Sequence, residues 1–276
     1  MSDPRGALRD IVRRALEEDD AWNDVTTLAT VPRDTEGRAR LVTREPCVVA
    51  GMDAFAATFT EFDPGVAVVI LTPDGEKAGA GALIATVEGR LRSILTAERP
   101  ALNFAQRLSG IATLTRSFVE TASGVEIRDT RKTTPGLRAL EKAAVRAGGG
   151  TSHRGSLSEA ILIKDNHIAA AGSLGDAVAR AKTVGVHVEV ECDTLEQVQE
   201  ALEAGADEVL LDNMDLEILR KAAALVRENG RRSEASGRVS LDTVAATAET
   251  MVDSISVGAL THSARAIDLS LEVEAV

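Results

Sequence analysis

The chain is poor in several residue types, and each shortage removes a class of function. Only two cysteines occur in 276 residues, Cys47 and Cys192, far apart and without metal-ligand spacing. That argues against a disulfide framework and a zinc-cysteine site, and a reducing, cytoplasmic location is expected. Tyrosine is absent, tryptophan occurs once, and lysine holds only six positions. With so few aromatics, a net charge of −12 and a pI near 4.9, a long nucleic acid is not an expected partner. No stretch of 18 apolar residues occurs and charges run through the first 20 positions, so neither a membrane span nor a secretory signal is expected. Acidic residues total 43; adaptation to a salt-rich cytoplasm and an ordinary acidic surface both fit that excess.

What the chain does have is 44% hydrophobic residues, enough for one large core or two smaller ones, and two domains are expected. Set in the acidic background is a cationic island. Residues 129–136 read DTRKTTPG, 148–155 read GGGTSHRG and 161–168 read ILIKDNHI. From Arg128 to His167 eight Lys or Arg face four Asp or Glu, a local charge of +4. Positive charge gathered among Gly and Thr suits a small polyanion.

Periodicity divides the chain into two textures. Leu8, Ile11, Val12, Ala15 and Leu16 predict an opening amphipathic helix that ends in the acidic run at 17–20. Short β-prone runs follow at 39–43, 48–50, 66–71 and 83–87, with a turn at Pro73-Asp74-Gly75 and a helix at 54–62, which reads as a small antiparallel sheet with helices. Thr96 and Pro100 are expected to open a long helix through about 121, with the proline in the first turn, where its missing N–H costs little. Beyond Gly124 strand and helix alternate, with strands expected at 125–128, 160–164, 186–192, 208–212 and 254–257. The tract 232–237, RSEASG, reads as an irregular strand. Thr194 to Gln197 resembles a capping box, with Leu195, Val198 and Leu202 as the inner stripe of a helix that Gly205 ends. Such alternation implies a parallel sheet, closed or open, whose chemistry lies beyond the C-terminal strand ends.

The distinctive polar residues fall at those ends. Arg131 and Lys132 follow the first strand in a turn rich in Thr, Gly and Pro, where cations and backbone N–H groups converge on anionic oxygens. His153 and Arg154 follow three glycines, and Lys164 ends the second strand. Glu191 and Asp212 end the next two, each after apolar residues, a costly place for a carboxylate without a partner. They suit Mg²⁺ with few protein ligands, or ribose hydroxyls. Ser236-Gly237 and the loop from Gly258 to Thr261 resemble the phosphate site late in many (β/α) barrels. No Walker loop, nucleophile elbow or HExxH motif occurs. The residues therefore point to a carboxylate-bearing substrate, a sugar phosphate and a divalent metal, with charge stabilisation in place of a covalent nucleophile.

DTRKTTPGLRALEKAAVRAGGGTSHRGSLSEAILIKDNHI, together with TAERPALNFAQRLSGIAT, VEVEC, VLLDNM and SVGALTHSA, closely resembles the quinolinate phosphoribosyltransferases. The resemblance runs from Asp24 to Leu271. It implies an N-terminal α/β sandwich domain (1–115), an incomplete α/β barrel (116–266) and a C-terminal strand (267–276) returning to the first domain. It further implies a homodimer that transfers phosphoribose from phosphoribosyl pyrophosphate to quinolinate with decarboxylation. Carried over by motif, Arg131, His153, Arg154 and Lys164 would hold the two carboxylates of quinolinate, with Arg99 joining from the neighbouring subunit and Lys132 within reach of substrate or phosphate. Glu191 and Asp212 would serve ribose hydroxyls and Mg²⁺, and Ser236, Gly237 and Gly258 the 5′-phosphate. Three positions depart from the family pattern: Pro100 replaces a threonine, Arg238 a glycine and Ser233 an apolar residue. Two rival readings share parts of the pattern, a homologue associated with molybdenum transport and a non-catalytic nucleotide sensor.

Overall fold

The computed structural model describes residues 4–275. Two compact units divide the chain: one holds the residues up to Leu114, Thr134–Gly149 and the stretch from Ala264, the other Thr115–Thr133 and Gly150–Ser263. No helix among the described residues is long and apolar enough to cross a membrane.

The first unit opens with α1 (Pro4–Glu18), whose Val12 and Leu16 are fully buried as their spacing predicts. Helix α2 (Val25–Thr30) starts at Asp24, whose carboxylate accepts the Thr27 N–H. Four antiparallel strands then assemble: β1 (Glu36–Thr43), β3 (Ala67–Ile70), β5 (Leu83–Arg90) and, from the far end of the chain, β12 (Leu269–Ala275). Their order is β12-β1-β5-β3, and β12 pairs with β1 from Thr43↔Leu269 to Gly37↔Ala275. On β1 the side chains alternate, Ala39 and Leu41 buried and Arg38 and Arg40 exposed, because one face meets the core and the other meets water. The short pair β2 (Cys47–Val48) and β4 (Lys77–Ala78), and helix α3 (Met52–Phe62) with Phe55 packed edge-on to Phe59, complete this core.

Helix α4 runs from Leu91 to Thr121, which moves one expectation. Pro100 is not in its first turn; it lies ten residues in, where it removes one i→i−4 hydrogen bond. Burial of Ile94, Ala97, Ala101, Leu102, Ala105 and Leu108 on one stripe offsets that loss. Helix α5 (Arg138–Ala147) belongs to the same unit, and its fully buried Glu141 accepts from Arg107 Nη2 at 3.0 Å and from the N–H and hydroxyl of Thr134 at 3.0 and 2.8 Å.

The second unit is the repeating β/α part. Its strands β6 (Glu126–Arg128), β7 (Ile161–Ile163), β8 (Val188–Cys192), β9 (Glu208–Asp212), β10 (Arg232–Ser236) and β11 (Ser254–Ser256) form one parallel sheet in the order β6-β11-β10-β9-β8-β7. Helices α6 (Asp165–Ala171), α7 (Leu174–Lys182), α8 (Leu195–Glu203), α9 (Leu216–Glu228), α10 (Val244–Ala248) and α11 (Ala259–His262) follow the strands. The capping box of α8 forms as read, Gln197 N–H donating to Thr194 Oγ1. Among the described residues β6 and β7 do not pair, so the barrel is incomplete; the outer side of β6 takes a single parallel bridge, Arg128 to Thr151.

The tract at 232–237 is a regular strand after all, in register with β9 from Arg232↔Glu208 to Ser236↔Asp212. Its polar Ser233 is buried without loss because its N–H and hydroxyl both donate to Asp253 Oδ2, at 2.8 and 3.1 Å.

Candidate active site

Parallel strands present their C-terminal ends at one rim, and the rim of the second unit gathers the chemistry. Register places Ile163 beside Val190, so Lys164 follows β7 level with Glu191 on β8, and the Lys164 ammonium donates to the Glu191 carboxylate. Ser236 stands opposite Asp212, and Ser256, two residues before Gly258, stands opposite Arg128, three before Arg131. Burial, then the charge of Arg131, pushes the Arg154 guanidinium downward. The two guanidiniums therefore feel each other's charge at this rim. The buried Arg131 Nε has no hydrogen-bond partner among the described residues. A buried guanidinium donor without a partner, within the field of a second cation, is an arrangement that an anion would stabilise.

Beneath this rim lies a buried ionic network. Side chains two apart on a strand share a face, so Glu189 lies below Glu191, Glu234 below Ser236, Glu208 two steps below Asp212, and Glu126 below Arg128. Arg128 Nη1 donates to Glu208 at 2.8 Å and to Glu234 at 2.7 Å. His153 belongs to this layer: its Nε2 lies 2.9 Å from Glu189 and 3.7 Å from Glu234, its Nδ1 accepts the Arg154 N–H, and its own N–H donates to Asp129. Burial works against the imidazolium, but the hydrogen bond to Glu189 and the charge of Glu234 outweigh it, and the net shift of His153 is upward. Burial, then the neighbouring Glu189 charge, raises Glu234 to about 7.

These atoms of His153, Glu189 and Glu234 lie within 4.8 Å of one another, a set that could hold a divalent metal. Arg128 already serves Glu234, and the set is buried and part nitrogen. Mg²⁺ instead takes oxygen ligands and keeps several waters. Glu191 and Asp212, carboxylates at the rim and only partly buried, fit that donor chemistry.

The part of the rim around Gly237 and Gly258 is built from tight backbone. Gly237 has φ 95° and packs against Asn213, so that an added Cβ would meet Asn213 Cγ at 2.6 Å and its backbone nitrogen at 2.8 Å. Gly258 faces the Lys132 side chain, whose Cδ would lie 3.1 Å from a Cβ there. Thr261, fully buried, donates its hydroxyl to the Lys132 carbonyl at 2.8 Å. Lys132 is thereby tied to the Gly258 loop. Arg238 is exposed with φ 50°, a left-handed conformation that glycine would adopt without strain.

Arg99 belongs to the first unit. It lines a cavity of about 660 Å³ together with Arg14, Asn103, Arg107 and Pro135. Both cysteines are buried and free; burial raises the Cys47 thiol and takes Cys192 up to about 12, so neither is an activated nucleophile.

Sequence reasoning assigned no role to Glu189, Glu234 or Asn213, and read Thr261 only as part of a phosphate-like loop. The signal for the first two was in the strands themselves. VEVEC places acids at i and i+2 and RSEAS a single acid at its centre, in segments that the parallel sheet buries on both faces, which calls for a buried cation. Asn213 follows a strand end, and only the register shows what it touches; the Thr261 contact with Lys132 depends on the fold of the loop into α11.

Two family models cover the chain: the quinolinate phosphoribosyl transferase N-terminal domain at residues 24–109 and its C-terminal domain at 111–272. The carboxylating nicotinate-nucleotide pyrophosphorylase of Mycobacterium leprae is 44% identical over 278 residues, covering 97% of each chain. Among solved structures, NadC from Streptococcus pyogenes superposes with a TM-score of 0.94 at 39% identity, covering 100% of this chain and 99% of its own. The nicotinate-nucleotide pyrophosphorylase from Francisella tularensis does so with a TM-score of 0.94 at 40% identity, covering 99% and 98%. An antiparallel first unit, an incomplete parallel barrel with a cationic rim, and both family models over nearly its whole length make this chain a member of the quinolinate phosphoribosyltransferase family.

Proposed function

We propose that the chain transfers the phosphoribosyl group of phosphoribosyl pyrophosphate to quinolinate with decarboxylation, giving nicotinate mononucleotide, pyrophosphate and carbon dioxide in NAD biosynthesis. The observation that carries this reading is the buried Arg131 Nε without a partner, at a rim that also bears Arg154 and where register brings Lys164, Glu191 and Asp212 to adjacent strand ends. Cations are spent on a dicarboxylate and carboxylates on a sugar.

Arg131, Arg154 and Lys164 hold the two carboxylates of quinolinate and so orient its ring nitrogen. His153 acts with them: its ring fixes the Arg154 backbone and balances Glu189. Ser236, Gly237 and Gly258 receive the 5′-phosphate, and Lys132 reaches toward it from its tie to Thr261. Glu191 and Asp212 hold the ribose hydroxyls, and would also hold Mg²⁺, which when bound supplies neutralisation for the leaving pyrophosphate. The ring nitrogen donates its electron pair to the anomeric carbon as the bond to pyrophosphate breaks. The carboxylate on the adjacent ring carbon then leaves as carbon dioxide. Its bonding pair remains on that carbon, stabilised by the positive ring nitrogen, and takes up one proton. Lys164, freed from Glu191 by the incoming substrate, exchanges one carboxylate partner for another. The working form is a cytoplasmic homodimer in which Arg99 of one subunit completes the other's site.

Arg131→Ala and Lys164→Ala test the cationic half. Each is expected to lower kcat/KM by at least about 100-fold while leaving Tm nearly unchanged. Near-normal turnover in either would overturn the assignment.

A further inference from the structure

Asn213 occupies an unusual place for a residue that neither the substrate chemistry nor the motif reading employs. It follows Asp212 at the end of β9 with φ 53°, a left-handed conformation that asparagine tolerates better than most residues. Three contacts hold it there. Its N–H donates to the Ser236 carbonyl at 3.0 Å, its side-chain Nδ2 donates to Asp212 Oδ2 at 2.5 Å, and its amide fills the space where Gly237 has no Cβ. One side chain thus touches both the carboxylate of the ribose half and the glycine of the phosphate loop. The strand register demands such a joint, because Asp212 and Ser236 are direct neighbours whose loops leave the sheet side by side.

We infer that Asn213 is a positioning residue for the phosphoribosyl donor: it fixes the Asp212 carboxylate in one orientation and sets the Ser236-Gly237 loop against it. The inference rests on the phosphoribosyltransferase reading of this rim. With Oδ2 held by the amide, Asp212 keeps Oδ1 for the donor or its metal. The same amide stops the Gly237 backbone from closing over the space a phosphate needs. The left-handed turn directs the side chain back along the rim, so the strain at residue 213 buys contact with both halves. Arg131, Arg154 and Lys164 lie on other strands' ends, so the quinolinate half is untouched by this joint.

The test separates the two halves. Asn213→Gly keeps the left-handed backbone at no steric cost and removes only the amide. Steady-state kinetics with each substrate varied, isothermal titration of phosphoribosyl pyrophosphate with Mg²⁺ and Tm are measured on the full-length protein. KM for phosphoribosyl pyrophosphate and its titrated Kd are both expected to rise about tenfold or more, with KM for quinolinate within about threefold and Tm nearly unchanged. Gly237→Ala, whose Cβ would crowd the same amide and the Asn213 backbone nitrogen at a left-handed φ, is expected to weaken donor binding with the same selectivity, and the double variant to lose less than the sum of the two. A donor Kd for Asn213→Gly within about twofold of the wild type, or an equal rise in both KM values, overturns the inference. A wild type that binds no phosphoribosyl pyrophosphate overturns instead the reading on which it stands.

Discussion

Glu234 shows what a single residue costs and returns in this fold. It is fully buried, with Arg128 on one side and His153 on the other, and burial raises its carboxyl from the ordinary 4.5 to about 7. A carboxyl that binds its proton more tightly in the folded state contributes stability that is fully present below about 4.5 and is lost as pH rises through about 7. Glu234→Gln carries the neutral form at every pH. The difference in Tm between Glu234→Gln and the wild type is therefore expected to grow by a few degrees in the variant's favour from pH 5 to pH 8, followed by thermal melts. A difference that stays flat or reverses would show that Glu234 titrates normally. The network was only half legible. Arg128 and Asp129 stood inside the cationic island, but an island counted along the chain does not say that Arg128 is spent on Glu208 and Glu234 while Arg131 stays unspent. That division comes from where β6 stops: Arg128 is its last residue and turns inward to the acids of the neighbouring strands, while Arg131 lies three residues on, in the loop beyond the strand end.

At the scale of elements, helix α4 is held to the C-terminal segment through a single glycine. A Cβ on Gly110 would fall onto the Arg265 carbonyl oxygen and 3.0 Å from its carbon, both backbone atoms that no rotamer change can move aside. The approach is fixed on either side by Arg107 Nη1 donating to the Ala264 carbonyl at 2.8 Å and Ile267 N–H donating to the Gln106 carbonyl at 3.0 Å. Gly110→Ala is expected to cost at least about 3 kcal/mol. That would lower Tm by roughly 6–12 °C, and an unchanged melting curve would refute the close approach. The same helix marks where periodicity falls short. Its apolar stripe was readable from Leu102 onward, yet its start was misplaced, because β5 ends at Arg90 and α4 begins at Leu91 with no intervening turn. Pro100 was then the strongest start signal on offer. The β/α repeat was legible throughout, since parallel strands buried on both faces read as apolar runs punctuated by glycine. RSEAS broke that rule and was underread; Asp253 satisfies Ser233, and Arg128 pairs with Glu234 Oε2, leaving Oε1 without a hydrogen-bond partner among the described residues.

For the whole molecule, the excess of acid and the cationic rim are complementary: a chain of net charge −12 keeps its attraction for anions local to one strand-end rim. The dimer proposal makes that rim a shared property. If Arg99 acts in the neighbouring subunit, Arg99→Ala and Lys164→Ala fail for reasons that lie in different halves of a site. Mixed after dissociation and reassociation, the two inactive variants are expected to recover about a quarter of wild-type activity, since half of random dimers are mixed and each contains one intact site. No recovery, with exchange verified by mass, would place Arg99 in its own subunit's site or outside the chemistry.

The central claim is that this rim reads a pyridine dicarboxylate and that decarboxylation follows phosphoribosyl transfer. Purified protein with phosphoribosyl pyrophosphate and Mg²⁺ is incubated with quinolinate in one reaction and nicotinate in another, and carbon dioxide and mononucleotide are quantified in both. Equal amounts of carbon dioxide and nicotinate mononucleotide from quinolinate, with none from nicotinate, are the predicted result. Mononucleotide from nicotinate alone would contradict it.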